Sequence, residues 1–153
     1  MDAQSAFQLP FHFHRSKPVV VEPTAGQVTS DAGLLPFRMF DEQIGLTRQL
    51  AEALEDRRHD SYIDHSFLEM TRMRVYGILA DYADQNDHDV LRSDPVFKLI
   101  CDRSIEDDDL ASQPTLSRFE NAIDVPTFFR LCDLQVDQFI DSFDKLVSAH
   151  GQL

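Results

Sequence analysis

The chain has 153 residues, 42% of them hydrophobic and 12 of them phenylalanine, a usual size for one domain with a core of its own. Fourteen Lys and Arg against 27 Asp and Glu give a net charge of −13, which excludes a protein that coats nucleic acid through a uniformly basic surface. No run approaches the roughly 18 apolar residues of a membrane span, and the start of the chain lacks the basic and apolar segments of a secretion signal.

Residues 1–29 read as an extended, β-prone arm. Phe11-His12-Phe13-His14 alternates with period two, and Val19-Val20-Val21 is a β-branched run between Pro18 and Pro23. The segment is expected to be a strand, or a poorly packed arm that needs a partner surface. From residue 30 to 150 the pattern is helical. Thr29-Ser30-Asp31 offers N-caps for a helix through Leu34, Leu35, Phe37, Met39, Phe40 and Ile44, ended by Gly45. Pro36 is expected to distort its first turn. A second helix runs from Leu46 to Leu54. A third, from about Ser66 to Tyr82, opens with the capping box Ser66-x-x-Glu69. Its expected buried face is Phe67, Leu68, Thr71, Val75, Ile78, Leu79 and Tyr82, with Met70, Met73 and Tyr76 beside it.

A short helix is expected through Val90 and Leu91, and another after the N-cap pair Asp94-Pro95. Pro114-Thr115 opens a further helix. Asp124-Val125-Pro126 opens the last, whose apolar stripe from Phe128 to Val147 keeps three-to-four spacing for about five turns. The fold class is therefore mainly α: a multi-helix domain of roughly five to seven helices with a short extended arm.

Candidate sites are few. Cys101 and Cys132 stand apart without metal or disulfide spacing and read as reduced thiols of a cytoplasmic protein. His12-x-His14 lacks the third and fourth ligands that zinc requires. Asp107-Asp108-Asp109 has no turn glycine and no calcium-loop pattern, and reads as a solvated loop. With five glycines the chain has no phosphate-cradling loop. No catalytic residue and no metal site is assigned. The arginines offer the better signal, being suited to bidentate phosphate or guanine contact. Arg57, Arg58, Arg72, Arg74 and Arg118 are the helical-domain candidates, and Arg15 and Lys17 are those on the arm. Each arginine also has acidic neighbours with which it can form an internal pair. The acidic excess is concentrated in residues 94–153, with 5 basic against 12 acidic side chains.

Leu110-Ala111-Ser112-Gln113-Pro114-Thr115-Leu116-Ser117-Arg118-Phe119-Glu120-Asn121 resembles the TLSRFEN signature of bacterial insertion-sequence transposases with a DDE-type catalytic domain. A collinear series agrees: Ser30-Asp31-Ala32-Gly33-Leu34-Leu35, Asp56-x-Arg58 with His65-Ser66, Arg74-Val75-Tyr76, Asp84-x-Asn86-Asp87, and Leu91 through Lys98. Two positions depart. Asp81 stands before Tyr82 where the family has a glycine, and Pro36 stands where a helix former is expected. The resemblance implies the N-terminal part of such an enzyme, with DNA, as terminal inverted repeats, for a partner. It also implies that the catalytic domain, with carboxylates holding two magnesium ions, is absent from this chain, which would then carry no cofactor and have no activity alone. The reading from a different class is a helical interaction module that self-associates or packs on a full-length transposase, or a folded remnant.

Overall fold

The computed structural model describes residues 9–13, 19–21, 29–56, 58 and 63–150. It is a mainly helical fold with one small sheet. Strands β1 (Leu9–Phe11) and β2 (Val19–Val21) pair antiparallel, with Phe11 opposite Val19. Phe11 and Phe13, two residues apart and so on one side of the chain, are both buried in the main core. The guanidinium of Arg38 lies 5.2 Å from the centre of the Phe13 ring. The extended reading of this segment holds for its described residues, and the surface that buries Phe11 and Phe13 is the helical body itself, while Pro10, His12 and Val20 stay exposed.

Helices α1 (Leu34–Ile44) and α2 (Leu46–Ala53) share Gly45, whose φ of 71° ends one and starts the other. Only glycine adopts that left-handed backbone without steric cost. Thr29-Ser30-Asp31 does not cap α1. The helix begins after Gly33 with no side-chain cap, and the Leu34 N–H bonds instead to the Asp31 carbonyl at 2.9 Å. Pro36 is thus the third residue of α1, where the missing N–H has no intrahelical acceptor to lose, and the expected distortion is not required.

The central helix α3 (Phe67–Leu79) is capped by Ser66, whose hydroxyl accepts from the Glu69 N–H at 3.0 Å. Only half of the capping box forms, because the Glu69 carboxylate turns to His65 and Arg103. The buried face also differs from the apolar count. Met70, Met73, Tyr76 and Gly77 are buried together with Glu69 and Arg72, while Ile78 and Leu79 are more than half exposed. At its C-terminus, Tyr82 N–H bonds to the Gly77 carbonyl and Asp81 N–H to the Ile78 carbonyl, with Asp81 at φ 70°. This is a Schellman ending, which ordinarily takes a glycine at the left-handed position.

A 3₁₀ turn (Gln85–Asp87) leads into α4 (His88–Leu91) and α5 (Pro95–Ile100), the latter capped by Asp94. Helix α6 (Gln113–Asn121) anchors Leu116 in the core, and α7 (Val125–His150) starts where Asp124 accepts from the Thr127 N–H at 2.9 Å. The core comprises Leu35, Met70, Met73, Tyr76, Phe97, Ile100 and Leu116 among others. No helix among the described residues is long and apolar enough to cross a membrane.

Two polar frames lie within the core. Asp41, buried, accepts from the Thr47 N–H at 2.9 Å, from the Thr47 hydroxyl, and from the Tyr76 hydroxyl at 2.8 Å. Burial, reinforced by the Asp41 carboxylate, pushes the Tyr76 phenol well above its usual range. In the second frame, Arg38 and Arg72, each 1% exposed, converge on Asp102. Burial opposes the charge of Asp102, yet its bonds to Arg72 and Arg38 hold its pKa below the ordinary carboxylate value. The same groups keep each other charged inside the fold, which an unpaired buried ion does not tolerate.

Candidate nucleic-acid interface

The arginines singled out in the sequence divide by location. Arg72 faces inward on α3, between Asp102 and the Thr47 hydroxyl. Arg74, two residues on and so on the other side of the helix, forms an ion pair with Glu120 of α6 and donates to His88 Nε2 at 2.9 Å. An arginine can only donate, so this contact makes Nε2 the acceptor and leaves the proton on Nδ1, which has no hydrogen-bond partner among the described residues. Burial, then the charge of Arg74, lowers the pKa of His88. As phosphate contacts Arg72 and Arg74 are poorly placed, because their side chains are only 2% and 15% exposed and are turned to partners within the protein. Arg15, Lys17 and Arg57 lie outside the described residues.

Arg58 and Arg118 are different. Although 60 positions apart in sequence, they line one groove of about 440 Å³ with His65, Phe67, Thr115 and Phe119. Its floor is built by aromatic packing. The Phe67 and Phe119 rings meet edge to face at 5.2 Å between centroids, joining the start of α3 to α6. Arg58 lies over the Phe67 ring at 4.5 Å and is held by Asp56 through both carboxylate oxygens, at 2.8 and 2.5 Å. The Asp56 bond raises the Arg58 pKa, and Arg58 in turn lowers that of Asp56.

Arg118 follows from the register of α6. Leu116 points inward and Glu120 reaches Arg74 and Gln85, so Arg118 projects outward. It is exposed and makes one hydrogen bond among the described residues, to the Thr115 hydroxyl at 3.2 Å. An expected local pairing with Glu120 does not form, because Glu120 is engaged from the other side.

Sequence inspection missed Arg92 and Arg103, which line an adjoining, larger groove with His65 and the acidic loop. Arg103 donates to Glu69 at 2.8 Å and to the Asp64 carbonyl at 2.8 Å, and Arg92 is 3.5 Å from Asp109. These partners are distant in sequence, so no local spacing advertises them. The acidic run is spread over separate duties: Asp107 accepts from the Ser104 N–H, while Asp109 faces Arg92 and Lys98. Among the described residues no three carboxylate, imidazole or thiol groups come together as a metal ion would need.

Much of the motif series turns out to build this frame. Tyr76 bonds Asp41, Arg74 bonds Glu120, Asp84 caps the 3₁₀ turn through the Asn86 N–H, and Asp94 caps α5. No curated protein and no solved structure matches the chain. A family described as transposase DDE domain group 1 matches residues 11–149, nearly the whole of this helical body and its small sheet, and the chain belongs to that family.

Proposed function

We propose that the chain is the DNA-end-binding and assembly portion of a DDE-type insertion-sequence transposase, catalytically incomplete by itself. In this reading the groove between Arg58 and Arg118 takes the phosphate backbone of a terminal inverted repeat. The observation that carries it is the convergence of two arginines from separate segments on one aromatic-floored groove, with Arg118 free of any ion pair among the described residues. Arginine suits this role because its planar donor fork matches phosphate oxygens. A net charge of −13 confines binding to such a local patch, since the rest of the surface repels DNA. Arg57, Arg15 and Lys17, outside the described residues, are further candidates for phosphate contact.

The test is binding of the chain to its terminal inverted repeat and to scrambled duplex at two salt concentrations. Preference for the repeat is expected. Arg118→Ala should weaken binding and lower the salt slope by about one phosphate contact, with the melting temperature unchanged because the side chain is exposed. No binding at either salt, or an unchanged slope in Arg118→Ala, refutes the assignment.

A further inference from the structure

Helix α7 carries two apolar faces, and the fold covers one. The covered face includes the buried Thr127 and the half-buried Leu131 and Leu134, and the helix is tied to the end of α2 by Arg130, which donates to the Ala53 carbonyl at 3.3 Å. Away from it, at 100° per residue, Phe129, Val136, Ile140 and Phe143 lie nearly opposite and Phe128 and Phe139 to one side, each of the six between 50% and 66% exposed. Four phenylalanines and two aliphatic side chains at that exposure present on the order of 800 Å². That exceeds the patch of a typical monomer and equals what one partner contributes to a standard interface.

The order of side chains in the stripe says what fits it. Phe129, Cys132, Val136, Phe139 and Phe143 follow alternating three and four spacing, the seam of a paired helix. Two pairs of the stripe are placed symmetrically about Val136, while Phe139 and Phe128 have Asp133 and Asp144 as their mirror positions. Phe129 and Phe143 lie seven residues to either side, and Cys132 and Ile140 lie four. A two-fold axis at Val136 therefore sets each Phe129 against the other copy's Phe143, and each Cys132 against the other's Ile140. In such an isologous contact residue i meets j while j meets i.

We propose that this face is a homodimer interface, in which α7 pairs antiparallel with α7 of a second copy about Val136. The two-fold also places the acidic flanks, Asp133, Asp137 and Asp141, on the same side of the pair. Their repulsion is screened by salt, so association tightens as ionic strength rises. A basic partner on the same face would show the reverse.

Sedimentation of the full chain at low and high salt is expected to give a dimer whose Kd falls several-fold as salt is added. Val136→Asp should give a monomer with an unaltered circular dichroism spectrum, because Val136 is 57% exposed within one chain. In a Cys132→Ser background, with Cys101 buried, Val136→Cys should cross-link to itself on oxidation. Phe129→Cys should cross-link only when mixed with Phe143→Cys. A wild-type monomer at both salts would assign the face to another protein and overturn the proposal. Self-cross-linking of Phe129→Cys as fast as Val136→Cys would overturn it in favour of a parallel pair.

Discussion

Asp102→Asn tests whether the buried arginine frame holds the helices together. Asp102 follows α5 at φ 65°, a conformation that asparagine shares with aspartate at little cost, so the substitution removes charge without adding backbone strain. Arg38 keeps two partners in the variant, Glu42 at 2.5 Å and the Ile100 carbonyl at 3.1 Å. Arg72 keeps the Thr47 hydroxyl at 3.3 Å and at most the neutral carbonyl oxygen of the new asparagine, and so becomes a buried cation without a counter-charge. Breaking a buried pair costs about 3–5 kcal/mol. Asp102 is 43% exposed at its side chain, which lets water reach the gap and places the loss near ~3 kcal/mol. For a chain of this size that lowers Tm by about 6–12 °C. Urea unfolding followed by circular dichroism should show a lower midpoint at constant slope. Adding Arg72→Met to the variant should restore part of the loss, because an apolar pair tolerates burial without a counter-ion. A loss under about 0.5 kcal/mol, the size expected of a surface change, would refute the argument that Asp102 compensates these charges.

Asp81→Gly should stabilise the protein by roughly 0.5–1 kcal/mol, since glycine relieves the left-handed strain at the end of α3; a lowered Tm would show that the Asp81 side chain has a role the backbone does not reveal. Gly77→Ala should cost about 1–3 kcal/mol despite the better helix propensity of alanine, because the new Cβ would lie 2.8 Å from Cε1 of the buried His88 ring. Urea midpoints measure both. The lowered pKa of His88 makes the folded state bind its proton less readily than the unfolded chain. Its contribution is therefore complete above the unfolded value of about 6.5 and is lost as pH falls from there toward the folded value. Stability measured from pH 7 down to about 5 should decline, and His88→Gln should flatten that decline.

What the sequence determined by itself is what local chemistry controls. Gly45 between α1 and α2, Ser66 ahead of α3, Asp94-Pro95 ahead of α5 and Asp124 ahead of α7 mark their boundaries because a cap acts within a turn of the residue that supplies it. The mainly helical class and the long stripe of α7 follow from periodicity in the same way, and the motif series was readable because its order survives in one chain. What only the tertiary structure decided is which face of each helix is inside. Apolar counting placed Ile78 and Leu79 on the buried face of α3, yet both are more than half exposed, as are Phe37 and Phe40 of α1 at 50% and 56%. Arg38, Asp41, Glu69 and Arg72 take buried places instead, because partners up to 64 positions away satisfy them. A charged side chain reads as a surface residue until its counter-charge is located, and that location is a property of the packed chain. The same holds for the groove. Arg58 and Arg118 are ordinary arginines in the sequence, and only the Phe67–Phe119 contact between α3 and α6 brings their two segments to one place.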